Sequence, residues 1–204
     1  MDTGNSHSGP GHRAILFSGW GKIAFRSDVT GRLQIWVSST DGSNAAPIDT
    51  GSLLPSVTGW TPDSQSIVFC SLSAPGIYEV SLSHKFALRV ISDVRMSHPF
   101  YSVDSNWIFA RAGSFIYRFP ASGGTGEMLT GQGGSPMMES KDGRNLYFGH
   151  GRMDATISRL DLATRQQKVV VRSLIPGYRD AWTLTPRGIV FFNQRSGKAD
   201  HCIS

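Results

Sequence analysis

Apolar residues in this chain fall in short runs that alternate with polar ones, and tight polar turns interrupt them at even intervals. One stretch sets the pattern: Ser140-Lys141-Asp142-Gly143-Arg144-Asn145-Leu146-Tyr147-Phe148, a hydroxyl residue, a polar turn and then a short aromatic-rich strand. Residues 61–69 (Thr-Pro-Asp-Ser-Gln-Ser-Ile-Val-Phe) repeat it, and residues 102–109 (Ser-Val-Asp-Ser-Asn-Trp-Ile-Phe) repeat it one residue shorter. Residues 185–191 (Thr-Pro-Arg-Gly-Ile-Val-Phe) form another copy, and residues 20–25 (Trp-Gly-Lys-Ile-Ala-Phe) keep the strand half. Phe25, Phe69, Phe109, Phe148 and Phe191 align across the copies at steps of 44, 40, 39 and 43 residues. A regular period of ~40 residues built from short strands predicts a β-propeller rather than a sandwich, which has no reason to repeat its hairpin chemistry at even spacing.

Read in order, the pattern predicts four strands per unit. The first unit takes residues 13–18, 22–26, 33–38 and 46–49, and the second 56–60, 66–70, 76–82 and 87–92. The third takes 99–102, 107–110, 115–119 and 127–130, and the fourth 137–139, 145–148, 156–162 and 168–172. A fifth opens with 180–184 and 189–193. The expected fold class is therefore all-β, a propeller of about four complete four-stranded blades plus part of a fifth. Residues 1–12 read as a disordered tail and residues 13–204 as propeller, expected to be part of a larger ring. In an alternative arrangement, residues 13–17 supply the outer strand of the fifth unit and close a ring of five.

Charge narrows the partners. The net charge is +5, with the basic residues scattered singly rather than clustered, so an acidic partner is permitted and a nucleic-acid footprint is not expected from this domain. No apolar run is long enough for a membrane-spanning helix, and residues 1–12 lack the basic and apolar segments of a secretory signal. Cys70 follows a strand and reads as a small buried hydrophobe; with Cys202 it makes no metal site.

Catalytic and cofactor motifs are weak. Gly4-Asn5-Ser6-His7-Ser8-Gly9 places its second glycine one position too late for a nucleophile elbow. Gly131-Gln132-Gly133-Gly134 lacks the Lys-Ser/Thr of a phosphate loop and is expected to be a flexible interblade loop. The six histidines include no pair at metal-ligand spacing, so neither metal nor cofactor is expected. Asp41, Asp63, Asp104 and Asp142 sit where aspartate caps a turn, and the in-phase phenylalanines are expected to pack between blades.

The turn followed by an aromatic strand, then Ile35-Trp36, Ile77-Tyr78 or Ile116-Tyr117 and a Gly-Gly or Asp-Gly hairpin, resembles the WD40-like repeat of TolB-type propellers. The resemblance covers roughly residues 20–195, and the ending is similar to the propeller halves of bacterial proteins fused to a winged helix or a protein kinase. It implies a binding or sensing platform, of a kind found in both periplasm and cytoplasm. A non-catalytic protein-interaction or ligand-sensing module is the expected function. The alternative is the gating propeller of a prolyl-oligopeptidase-like serine hydrolase, with the catalytic domain outside these residues.

In a propeller, the loops that lead into the innermost strands ring one mouth of the channel together with those joining the second and third strands. The candidate partner-binding residues there are Arg95, His98, Arg152, Tyr178, Arg179 and Asp180. Arginine, histidine and tyrosine around a mouth suit an acidic peptide or carboxylate, because the guanidinium fork pairs with carboxylate oxygens.

Overall fold

A computed structural model describes residues 14–19, 21–82, 87–91, 94–131, 133–134, 137–150, 155–174, 182–192 and 199–202. The predicted tail at 1–12 lies outside the described residues. The first sheet contains β1 (Ala14–Gly19), β2 (Lys22–Ser27), β3 (Gln34–Ser39) and β4 (Ala46–Ile48). The second holds β5 (Pro55–Trp60), β6 (Ser66–Ser71), β7 (Ile77–Ser81) and β8 (Ala87–Ile91). The third holds β9 (Ser97–Tyr101), β10 (Trp107–Ala112), β11 (Phe115–Pro120) and β12 (Glu127–Thr130). The fourth holds β13 (Met137–Glu139), β14 (Asn145–His150), β15 (Ala155–Asp161) and β16 (Gln167–Leu174), and the fifth β17 (Trp182–Thr185), β18 (Gly188–Phe192) and β19 (Ala199–Cys202). Each sheet is a meander of antiparallel neighbours in chain order, which is one propeller blade per sheet. β1 pairs with β2, Ala14 opposite Phe25, so this segment begins the first blade and does not serve as the outer strand of the fifth. No helix occurs among the described residues.

The repeated turn owes its form to one set of hydrogen bonds. Ser66 N–H donates to Thr61 Oγ1 (3.0 Å), Trp107 N–H to Ser102 Oγ (2.9 Å) and Asn145 N–H to Ser140 Oγ (2.9 Å). Each hydroxyl donates in turn to an aspartate two residues on, Asp63 (2.6 Å), Asp104 and Asp142 (2.6 Å). The same carboxylates accept the N–H of Gln65, Asn106 and Arg144 at 3.0, 3.0 and 3.1 Å. A serine or threonine is needed because it donates and accepts at one atom, and an aspartate because it only accepts. The fourth position of the turn is left-handed, with φ of 57° at Ser64, 61° at Ser105 and 69° at Gly143.

Four apolar clusters fill the spaces between successive blades. Ala24 and Ile35 of the first blade meet Trp60, Ile67 and Phe69 of the second, and Val68, Cys70 and Ile77 meet Ile108 and Ala110 of the third. Phe109 and Ile116 meet Leu146 and Phe148, and Tyr147 and Ile157 meet Trp182 and Ile189. Phe69, Phe109 and Phe148 are fully buried, which fulfils the expectation of interblade packing. Their alignment, however, is one residue out at Phe109. The turn has the same span in the second, third and fourth blades: Thr61 N–H donates to Ser66 C=O, Ser102 N–H to Trp107 C=O and Ser140 N–H to Asn145 C=O. Counted from those anchors, Phe109 matches Val68 and Tyr147. Because successive strand residues point to opposite faces, Phe109 faces the following blade, whereas Phe69 and Phe148 face the preceding one. In the first blade, half-buried Phe25 stacks on half-buried Trp36 at 6.3 Å, in the place where Phe69 stacks on Tyr78 at 5.7 Å.

Two glycines set how closely the inner strands approach. A Cβ on Gly59 would stand 3.0 Å from Pro99 O of β9, and one on Gly134 only 1.8 Å from Gly149 O of β14. Gly133 and Gly134 are buried, and Gly133 N–H donates to Ser114 C=O at 2.6 Å. This glycine pair is therefore packed into the blades rather than forming the flexible loop that its composition suggests.

Candidate functional site

The hairpin order places two kinds of loop at each end of the blades. At one end lie the hydroxyl–aspartate turns, and at the other the segments leading into β5 and β9 with the turns after β2, β6 and β10. Local hydrogen bonds hold Asp63, Asp104 and Asp142 below the ordinary carboxylate range, with the Thr61, Ser102 and Ser140 hydroxyls as the largest causes. Their acidity belongs to the turns, as expected from sequence. Asp41 follows the same rule, accepting Ser43 N–H at 2.9 Å. Beside them Glu139 is half-buried, accepts Val103 N–H at 2.6 Å and is raised in pKa, chiefly by burial.

At the opposite mouth, Arg95 is exposed and Met96 beside it is buried. Ser97 Oγ donates to Arg111 C=O at 3.1 Å. Arg95 borders an open recess of about 370 Å³ between the second and third blades, which Ser56, Leu72, Met96, Ser97 and Gly113 also line. His98 is half-buried with φ 56°, in a bulge of β9 where its backbone departs from the extended form. The structure thus brings Arg95 and His98 to one rim; Arg152, Tyr178, Arg179 and Asp180 lie outside the described residues.

Sequence reasoning passed over other polar groups at this end. Arg26 Nη1 donates to Pro55 C=O at 3.4 Å, and Arg32 Nη2 donates to the carbonyls of Gly51 and Leu53. These cations hold the chain that leads into β5. Arg26 and Arg111 stand at the same place in β2 and β10, a repeat that strand register could have revealed. His150 Nε2 lies 2.8 Å from Ser158 Oγ and 2.9 Å from Thr156 Oγ1, and burial lowers its pKa. Ser158 is fully buried, so this pair offers no accessible nucleophile. Burial also raises the Cys70 thiol to about 12, which makes it a packing residue as expected. Among the described residues, no group of three or more His, Cys, Asp or Glu is placed to hold a metal.

No protein-family model matches the chain, and no curated protein is significantly similar to it. Solved structures are. TolB from Acinetobacter baumannii superposes with a TM-score of 0.68 at 21% identity, over 88% of this chain and 47% of that one. A protein assigned as TolB from Agrobacterium tumefaciens gives 0.64 at 20% identity, over 74% and 61% of the two chains. The nidogen/laminin complex gives 0.60 at 14% identity, over 91% and 68%. The fold is a TolB-type β-propeller. The chain spans about half to three-fifths of the length of the two TolB structures.

Proposed function

We propose that the chain is a non-catalytic binding module that takes an acidic protein or peptide at the mouth bearing Arg95 and His98. The observation that carries this reading is the exposed guanidinium of Arg95 at the edge of a recess. The described turn aspartates are spent on their own backbone, whereas Arg95 stands exposed beside a recess large enough for a side chain. An array of meanders with variable loops suits recognition without catalysis, and a propeller of like fold occurs in the complex of nidogen with laminin. Arg152, Tyr178, Arg179 and Asp180 extend the candidate rim by sequence. An amidated poly-glutamate peptide should bind with an affinity that falls as salt rises, and Arg95→Gln should weaken it while leaving the melting temperature unchanged. Equal binding of poly-lysine, or binding indifferent to Arg95→Gln, would sink this reading. The gating-propeller alternative predicts instead that the chain associates with an α/β-hydrolase domain encoded alongside it, which co-expression and size-exclusion chromatography would detect.

A further inference from the structure

We propose that the recess between the second and third blades is a carboxylate pocket that takes the free carboxyl terminus of a peptide ending in an aliphatic residue. This deepens the mouth-binding reading and rests on it. The hydroxyls of the recess differ in what they can still do. Ser97 Oγ spends its proton on Arg111 C=O, so toward a ligand it can only accept. Ser71 Oγ accepts Ser73 N–H at 3.1 Å and shares a proton with Ser73 Oγ across 3.0 Å, which commits it to the wall. The donors that line the recess are the guanidinium of Arg95, the hydroxyl of Ser56 and a second guanidinium, Arg111, and no residue lining it is acidic.

The last residue of a peptide has the complementary inventory. Its carboxylate only accepts, matching Arg95 and Ser56, and its N–H only donates, matching Ser97 Oγ. Its side chain would cover Leu72, a large apolar residue left 55% exposed, against buried Met96. A volume of about 370 Å³ is at the small end for ligand sites, enough for one terminal residue rather than a folded segment. Gly113 forms the lip, and a Cβ there would meet nothing within 4 Å, so the opening is wide where the rest of the peptide must leave. Inorganic phosphate would find the cation but would leave Leu72 uncovered.

The test titrates acetyl-Ala-Ala-Leu, with a free carboxylate, and its carboxamide into the full chain by calorimetry and by amide chemical shifts. The acid is expected to bind, with shifts at Ser56, Ser97 and Gly113, and the carboxamide to bind roughly ten- to hundredfold more weakly, the loss of one charge-assisted hydrogen bond. Arg95→Gln should cost the acid a similar factor. Arg144→Gln, at the other end of the blades, should cost nothing. Equal affinity for acid and amide, indifference to Arg95→Gln, or inorganic phosphate competing as strongly as the peptide acid would each overturn the pocket. If poly-glutamate still binds while the terminal acid does not, the pocket fails and the mouth reading stands; if neither binds, both fail.

Discussion

Replacing Gly134 by Ala isolates the demand that the propeller makes on its inner strands. The added Cβ would lie 1.8 Å from Gly149 O, 2.9 Å from Gly149 C and 3.3 Å from His150 Cα. All three atoms are backbone, and Gly149 and His150 lie in β14, which is paired on both sides, so no rotamer change relieves the clash. Overpacking of a core usually costs about 1–3 kcal/mol, and an obstacle of fixed backbone belongs at the upper end. For a chain of 204 residues, ~3 kcal/mol lowers the melting temperature by roughly 6–12 °C. Gly42→Ala is the control, because at φ 83° its Cβ would meet nothing within 4 Å. Only the left-handed backbone penalty of about 1 kcal/mol remains there, or roughly 2–4 °C. Differential scanning calorimetry on both variants decides the matter. If Gly134→Ala melts no lower than Gly42→Ala, the close approach of the segment before β13 to β14 is wrong.

Three further outcomes are expected. Phe109→Leu and Phe148→Leu should couple by about 0.5 kcal/mol or more in a double-mutant cycle because they share one interface, whereas Phe69→Leu and Phe109→Leu should add independently; urea melts give both numbers. The folded pKa values of Asp63, Asp104 and Asp142 are depressed, so their contribution is complete above the unfolded value near 3.8 and is lost as pH falls through the folded values. Asp104→Asn should therefore flatten the loss of stability below about pH 4 in acid-series urea melts, and an unchanged slope would contradict the turn chemistry. Glu139 has the opposite sign: its pKa is raised, so any stability it lends is present below 4.5 and lost as pH climbs through the folded value, and Glu139→Gln should stabilise the protein most at neutral pH.

The hydroxyl–aspartate turns and the meander were legible because both depend on residues close in sequence. The hydrogen bonds among Ser102, Asp104 and Asn106 that shape their turn are local, and the predicted strand positions lie within about two residues of the observed ones. The facing of Phe109 was not legible from its residue type, since a strand reverses its faces with every residue and aromatic character says nothing about register. The packed state of Gly133 and Gly134 was hidden for a different reason. Composition marks a glycine as permissive, but only the proximity of Gly149 shows that it is required. At the rim, Arg95 and His98 followed from loop position. The recess needed Ser56 and Leu72 from the neighbouring blade, which the order of residues alone does not place beside them.

The consecutive pairing of strands has a consequence for how the chain acquires its fold. In every blade, each strand pairs only with its nearest neighbours in sequence, and in the second, third and fourth blades the hydroxyl latch closes the first hairpin across five residues. Loop closure is therefore cheap within a blade, and a growing polypeptide can complete one meander before the next has been synthesised. The apolar clusters join strands from successive blades, so each finished meander waits with one face uncovered until its successor arrives. Such a chain gains stability in steps along its length, and truncating it by whole blades should lower the unfolding barrier gradually rather than abolish folding at one cut.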